Sequence, residues 1–109
     1  MSAEQNETAI EVYESPVFKK ALNKLPDEDV AIIEDQVDVI IAKPEIGIQK
    51  KGDLSYLRVH TFSLNGREVL LGYNWQKEKL TLHLLNIGPH ENFYDNTKKR
   101  RKADLKFIK

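Results

Sequence analysis

Hydrophobic residues in the first third of the chain recur at the spacing of a helix. Phe18, Leu22 and Leu25 follow one another at intervals of four and three residues, so their side chains share one helical face. Ser15 and Pro16 stand just before this stripe, where they suit an N-cap and a proline in the first helical turn. We therefore predict a short amphipathic helix that begins after the serine.

A second apolar stripe follows the break at Pro26. Acidic residues occupy positions 27–29 at its start, where the helix dipole favours negative charge, and Pro44 marks its end. The stripe itself consists of Val30, Ile33, Val37, Ile40 and Ile41. Because only one short break separates the two helices, we predict an antiparallel helical hairpin.

The remaining segments alternate hydrophobic and polar residues, as strands do. Residues 9–14 suit a short first strand, and residues 56–64, 67–75 and 79–88 suit three longer strands. The pair Asn65-Gly66 is a strong signal for a two-residue hairpin turn. Since the last three strands follow one another through short turns, we expect them to be antiparallel neighbours.

These elements predict a single α+β domain of order β-α-α-β-β-β over residues 9–109, preceded by a disordered tail at residues 1–8. The helical hairpin should pack on one face of an antiparallel sheet. The other face should stay at least partly open, and residues 96–109 should form a basic C-terminal helix or tail. We expect function to lie on this open, positively charged face.

Charge is distributed unevenly between the two halves of the 109-residue chain, although its 17 basic and 17 acidic side chains balance. Residues 1–45 carry four basic and eleven acidic groups (net −7), and residues 46–109 carry 13 basic and six acidic groups (net +7). This asymmetry fits a polyanionic partner for the second half. It fits equally a dipolar surface that has no binding role.

Several classes of protein are excluded or disfavoured by what the sequence lacks. The absence of cysteine excludes disulfides, thiolate zinc sites and a cysteine nucleophile. His60, His83 and His90 are not spaced as metal ligands, so we predict no metal and no cofactor. No apolar run approaches the roughly 20 residues that span a bilayer, and the N-terminus lacks the pattern of a signal peptide. We therefore expect a cytoplasmic protein with no membrane association.

Two groups of residues are candidates for chemistry. Arg58 and His60 are two apart on a predicted strand, so a fixed positive charge and a titratable ring share one face; a solvated strand face is the simpler alternative. His90, Asn92 and Tyr94 directly follow the last strand, where scaffolds often place functional groups. Alternatively, the aromatic residues of this segment close the core and its polar residues cap a final helix.

Further cations lie near the predicted sheet. Lys50 and Lys51 precede its second strand, Arg67 begins its third, and residues 98–102 are five consecutive cations. Such residues bind nucleic-acid phosphates with an affinity that falls as salt rises. A solvated or disordered tail is the alternative interpretation of the run.

The order of elements, the segment Leu57-Arg58-Val59 in a strand and the closing motif Ile87-Gly88-Pro89-His90-Glu91-Asn92-Phe93-Tyr94 resemble the RelE/ParE superfamily of bacterial type II toxins. The resemblance extends from about Ile10 to about Arg101. It implies a toxin that is neutralised by a cognate antitoxin protein. RelE-like members cleave mRNA in the ribosomal A site without a metal, whereas ParE-like members inhibit DNA gyrase, and a shared fold does not distinguish them.

Within this resemblance, Arg58 matches the arginine of the second strand, His90 the basic position and Tyr94 the aromatic position of the closing motif. The chain departs from many RelE-like nucleases in its third strand, where an arginine stands only at the start, as Arg67. A histidine at position 90 favours the nuclease branch. The leading hypothesis is therefore a metal-independent, ribosome-dependent mRNA endonuclease that inhibits translation. The alternatives are a gyrase inhibitor and a diverged, non-catalytic nucleic-acid-binding member.

The hypothesis assigns a role to each candidate residue. His90 acts as general acid or base, His60 is the possible second member, and Arg58 stabilises charge on the phosphate. Tyr94 stacks on or orients a base. The residues expected to bind nucleic acid are Lys50, Lys51, Arg67, Asn92, Lys98, Lys99, Arg100 and Arg101. The assignment requires His90 and Arg58 to converge on one cationic hollow that the helical hairpin leaves uncovered.

Overall fold

A computed structural model describes residues 9–109, so the tail predicted at residues 1–8 lies outside the described residues. The strands are β1 (Glu11–Glu14), β2 (Ile48–Gln49), β3 (Arg58–Leu64), β4 (Arg67–Gln76) and β5 (Thr81–Pro89). The helices are α1 (Pro16–Asn23), α2 (Asp27–Ala42), α3 (His90–Lys99) and α4 (Arg101–Ile108). Two short 3-10 helices lie at Gly52–Leu54 and Lys77–Lys79.

The five strands form one mixed sheet in the order β1-β5-β4-β3-β2. Strand β1 runs parallel to β5, and every other neighbouring pair is antiparallel. Asn65 and Gly66 connect β3 to β4 with positive φ angles of 54° and 79°, the conformation that a two-residue hairpin turn requires. The predicted α+β fold and its hairpin are confirmed.

Helices α1 and α2 cover one face of the sheet, which we call the hairpin face. Ser15 caps α1, because its Oγ accepts the N–H of Phe18 at 3.1 Å. The same hydroxyl donates to the Leu85 carbonyl at 2.8 Å, which fixes the start of α1 against β5. The buried core on this face consists of Phe18, Ile33, Ile40, Leu71, Tyr73, Leu82 and Leu84.

The opposite face is also covered, so the prediction that it stays open was wrong. Helices α3 and α4 pack on it, and we call it the C-terminal face. Its buried core consists of Leu54, Leu57, Val59, Leu70, Leu85, Phe93 and Ile108. Phe93 approaches the sheet so closely that a Cβ built on Gly72 would lie 2.9 Å from the Phe93 ring. Apolar residues hidden among the basic residues of the C-terminal segment allow it to bury this face.

Candidate functional site

Arg58 lies on the hairpin face, opposite Tyr73 in the register of β3 and β4. Its Nη1 donates to the carbonyl oxygens of Glu45 at 3.1 Å and Gly47 at 2.7 Å. The Tyr73 hydroxyl holds the same loop, since it donates to the Pro44 carbonyl at 2.7 Å and accepts the Gly47 N–H at 2.9 Å. Arg58 therefore binds the main chain between α2 and β2, a short strand that the sequence pattern did not predict.

His60 lies on the hairpin face too, in register with the core residue Leu71. Its Nε2 is 2.7 Å from the Oε1 of Gln36 on α2, and its ring stacks beside Phe62. Burial lowers the pKa of the His60 imidazole, since desolvation disfavours the charged form. The ring is thus half-buried, hydrogen-bonded to a helix and disfavoured as a cation.

His90 lies on the other side of the sheet. It is the first residue of α3, it is exposed, and its ring meets the edge of the Tyr94 ring at a centroid distance of 6.0 Å. Tyr94 is half-buried against the core of the C-terminal face. The sheet therefore separates His90 and Tyr94 from Arg58 and His60, and the expected convergence of His90 with Arg58 was wrong.

The structure does bring Lys50 to Tyr94. The Lys50 Nζ lies 5.0 Å from the centroid of the Tyr94 ring, a distance at which an ammonium group is attracted to the negative face of an aromatic ring. A main-chain hydrogen bond from Lys50 to the Leu57 carbonyl, at 2.9 Å, holds the lysine beside β3. We call the three residues His90, Tyr94 and Lys50 the Tyr94 cluster.

Most of the other predicted nucleic-acid contacts lie on α3, on α4 and in the loop after β2. The Arg101 Nε donates to the Asp53 carbonyl at 2.8 Å, which ties α4 to the turn that follows Lys50. Arg100 is half-buried, and its Nε has no hydrogen-bond partner in the described part of the chain. The predicted contacts Lys51, Asn92, Lys98, Lys99 and Arg101 are exposed.

Arg67 and His90 line one cavity of about 510 Å³, together with Glu68, Pro89 and Glu91. A neighbouring cavity of about 740 Å³ lies between the helical hairpin and the β3–β4 turn, and Arg67 also lines it. Of the two arginines predicted on strands, Arg58 and Arg67, it is therefore Arg67 that shares a cavity with His90.

Two residues that the sequence analysis did not single out form a buried polar pair under α4. Asp104 is 3% exposed, and its carboxylate accepts from the Tyr56 hydroxyl at 3.5 Å. Burial raises the pKa of Asp104 to about 6, against the lowering effects of Arg100 and of the hydrogen bond from Tyr56. Burial, followed by the charge of Asp104, raises the pKa of Tyr56 to about 12. An acid within a run of basic residues gave no sequence signal that it would be buried.

Residues 9–109 contain no group of three histidine, aspartate or glutamate side chains placed to hold a metal ion. Over the same residues, no helix is long and apolar enough to cross a membrane.

Comparison of the sequence with family models identifies the class of protein. Residues 12–98 match the family described as the ParE-like toxin of type II bacterial toxin-antitoxin system. The match covers most of the chain, so the protein belongs to this family and is the toxin component of a type II toxin-antitoxin system. The predicted resemblance to the RelE/ParE superfamily is confirmed. Comparison with curated proteins gives no match.

Solved structures with the same fold include RelE toxins. The E. coli RelE arginine mutant in the free state is 18% identical with a TM-score of 0.65, and the match covers 84% of this chain and 97% of that one. The intact E. coli RelBE toxin-antitoxin complex is 17% identical with a TM-score of 0.61, covering 76% and 99%. The archaeal RelE-RelB complex from Pyrococcus horikoshii is 18% identical with a TM-score of 0.53, covering 75% and 96%. At these identities the likeness concerns the fold alone.

Proposed function

We propose that this toxin is a ribosome-dependent mRNA endonuclease that inhibits translation. The observation that carries the proposal is the Tyr94 cluster, in which the Lys50 ammonium lies over the Tyr94 ring and the His90 imidazole lies at its edge. A titratable group, an aromatic ring and a cation on one surface are what the cleavage of RNA by its own 2′-hydroxyl needs. His60 is half-buried and His83 is buried, so His90 is the histidine that a substrate reaches.

Each residue of the cluster has a proposed step. His90 takes the proton of the 2′-hydroxyl as the oxygen attacks the adjacent phosphate, and the leaving 5′-oxygen takes a proton from solvent. Lys50 stabilises the negative charge that builds on the phosphate. Tyr94 stacks on a base and orients the nucleotide. Arg58 and His60 take no part in this scheme, because their polar atoms bond to the loop after α2 and to Gln36.

The surrounding cations would bind the rest of the RNA strand. Arg67 lines a cavity with His90, and Lys51, Lys98, Lys99 and Arg101 are exposed. Arg100 would add charge from its half-buried position, and Asn92 would hydrogen-bond a phosphate or ribose. These contacts are independent of RNA sequence, so they contribute affinity that weakens with salt.

The proposed protein partner is a cognate antitoxin. The similar E. coli and Pyrococcus horikoshii structures are complexes of a RelE toxin with RelB. The net charge of +7 on residues 46–109 would attract an acidic antitoxin segment, and such attraction is screened by salt. We expect the dissociation constant of the complex to rise with salt concentration. An affinity that is independent of salt would indicate a mainly apolar interface.

Mapping transcript 5′ ends after induction of the toxin tests the proposed activity. We expect new 5′ ends within translated regions, and we expect them to disappear when translation initiation on the same transcript is blocked. Growth arrest without new 5′ ends would contradict the proposal. Failure to arrest growth, with stable protein present, would instead identify a non-catalytic nucleic-acid-binding member of the family.

A second candidate function is inhibition of DNA gyrase. The matching family is described as ParE-like, and His60, the possible second acid or base of the nuclease hypothesis, lies on the other side of the sheet from His90. An inhibitor needs no proton transfer, so replacing His90 would leave its toxicity intact. Accumulation of gyrase-linked DNA breaks after induction, without mRNA cleavage, would establish this function in place of the nuclease.

A further inference from the structure

A cavity of about 310 Å³ lies at the edge of the sheet far from the Tyr94 cluster. It is bounded by β1, by the start of β5 and by the end of α4. Strand β1 is at one edge of the five-stranded sheet and β2, which leads to Lys50, is at the other. Four strand spacings separate these edges, a distance of about 19 Å. The cavity is therefore not part of the site proposed for RNA cleavage.

The walls of this cavity are aromatic. The rings of Tyr13 and His83 are stacked with centroids 5.6 Å apart and an angle of 22° between their planes. Phe107 of α4 meets the His83 ring edge-on, at 5.4 Å and 79°. Tyr13 is 47% exposed, so the aromatic cluster stays accessible from solvent. An accessible ring that is backed by other rings is a rigid surface for stacking a planar ligand.

His83 adds an unsatisfied polar group to this aromatic cluster. It is 6% exposed, and its Nδ1 has no hydrogen-bond partner among the described residues. Burial and, to a smaller extent, the charge of Lys79 lower the pKa of His83, which favours the neutral form of the imidazole. A neutral imidazole offers one donor and one acceptor. Because this Nδ1 is itself buried, His83 contributes to the cavity through its aromatic contacts with Tyr13 and Phe107.

Charged side chains complete the lining. Lys79 and Lys109 both line the cavity and supply positive charge. Glu11 also lines it, and its carboxylate accepts a hydrogen bond from the Tyr13 hydroxyl at 2.9 Å. The cavity thus combines aromatic walls, a neutral imidazole, one carboxylate and two ammonium groups. These are the groups that bind a heteroaromatic base and a phosphate.

We propose that this cavity binds a nucleoside monophosphate, with the base against Tyr13 and Phe107 and the phosphate at Lys79 and Lys109. The site goes beyond the proposed nuclease activity and does not depend on it, because no residue of the Tyr94 cluster lines the cavity. Nucleotide binding would give the toxin a second, non-catalytic contact with free nucleotides or with an RNA end.

Titration of the full chain with adenosine monophosphate, followed calorimetrically, tests the proposal. We expect one saturable site at millimolar concentrations and weaker binding of both adenosine and inorganic phosphate, each of which lacks half of the contacts. Tyr13→Ala should weaken binding about tenfold, in line with the stacking of one base. Lys79→Gln should weaken it and reduce its salt dependence. Lys43→Gln, which removes an exposed cation elsewhere, should leave binding unchanged.

Three results would overturn the proposal. The first is the absence of saturable binding of adenosine monophosphate to the folded wild-type chain. The second is equal binding by inorganic phosphate alone, which would show that the aromatic walls are not used. The third is binding that survives Tyr13→Ala and is lost on Tyr94→Ala, which would place the nucleotide in the Tyr94 cluster. Because Tyr13 is exposed on an edge strand, its replacement is compatible with folding, and circular dichroism of the variant confirms this.

Discussion

The guanidinium of Arg58 and the imidazole of His90 lie on opposite faces of the sheet. Arg58 pairs with Tyr73 on the hairpin face, whereas His90 begins the helix whose Phe93 packs on the C-terminal face. A single substrate bond therefore does not meet both groups. The Arg58 hydrogen bonds to two carbonyl groups give the arginine a structural role. In the proposed mechanism, His90 therefore acts with Tyr94 and Lys50 and not with Arg58.

Replacement of Arg58 distinguishes a structural from a catalytic role. Arg58→Ala removes two charge-assisted hydrogen bonds to the loop before β2 and should lower the free energy of unfolding by roughly 1.5–3 kcal/mol. Arg58→Lys, which keeps the charge but not the fork of donors, should lose less. Urea denaturation measures both. A variant that keeps full stability but loses RNA cleavage would show that the arginine acts on the substrate.

Addition of a methyl group at Gly72 tests whether Phe93 of α3 packs directly on the C-terminal face of the sheet. A Cβ at this position would lie 2.9 Å from the Phe93 ring and 3.0 Å from the Leu57 side chain. Gly72→Ala should therefore cost about 1–3 kcal/mol of stability through overpacking. Gly88→Ala is the matched control, since nothing lies within 4 Å of its Cβ position. Equal denaturation midpoints for the two variants would mean that Phe93 does not rest on the sheet.

Asp104 should make stability fall as the pH rises, which is the direction opposite to that produced by a carboxylate whose pKa is lowered on folding. Its pKa is raised from 3.8 to about 6 in the folded protein. The folded state therefore binds the proton more tightly, and the stabilisation is complete below about pH 4 and is lost as the pH rises through about 6. Asp104→Asn should raise the free energy of unfolding at pH 7 by roughly 2–3 kcal/mol.

Comparison of Asp104→Asn with the wild type from pH 4 to pH 8 isolates this effect. The lowered pKa values of His60 and His83 make stability fall as the pH drops through their range, but both proteins share that contribution. The stability difference should shrink to near zero below pH 4. A difference that stays constant with pH would contradict a buried, titrating carboxyl group. Asparagine keeps an acceptor for the Tyr56 hydroxyl, so the packing contact itself is preserved.

Lys50 should contribute to RNA affinity through charge. Lys50→Ala removes the ammonium group over Tyr94 and should weaken binding to a single-stranded RNA and reduce the slope of log K against log salt by about one unit. Lys43→Ala removes an exposed cation after α2 and serves as the control. Filter binding across a salt series measures both slopes. Identical slopes for the two variants would remove Lys50 from the RNA surface.

Local signals in the sequence predicted the helical hairpin and the turn between β3 and β4 well. Ser15 caps α1 as expected, and Asn65 and Gly66 form the expected hairpin turn. Strand β2 was missed because two residues carry no periodicity, and it depends on the hydrogen bonds that Arg58 and Tyr73 make to the preceding loop. Such long-range bonds leave no local pattern.

The wrong assignment of the sheet faces has a specific cause in β3 and the residue before it. Leu57 and Val59 are apolar and face the C-terminal helices, whereas Phe62 and Leu64 are apolar and face the helical hairpin. The buried hydrophobic positions thus change from odd to even residue numbers along β3. The reason is that the C-terminal helices cover the start of the strand on one face, whereas the helical hairpin covers its end on the other face. If Leu57 and Val59 are taken as the residues that contact the helical hairpin, alternation places Arg58 and His60 on the outer face. In the structure Arg58 and His60 instead face α2 and the loop that follows it.

The sequence identified the individual residues of the candidate site, but not which of them lie together in the structure. His90, Tyr94 and Lys50 were each singled out by type and position, but the contact between Lys50 and Tyr94 joins residues 44 positions apart. Their proximity depends on the docking of α3 against the sheet. The sequence predicts a basic helix or tail only from residue 96, six residues after α3 begins.

The cleavage of ribosome-bound mRNA by purified His90→Ala and His60→Ala proteins is the most direct test of the proposed site. We predict that His90→Ala lowers the rate constant by a factor on the order of 10²–10⁴. His60→Ala, once shown to be folded, should keep the rate within a few-fold of the wild type, since His60 bonds to Gln36 of α2. A full rate for His90→Ala, or a large loss for His60→Ala alone, would contradict a nuclease centre built on the Tyr94 cluster.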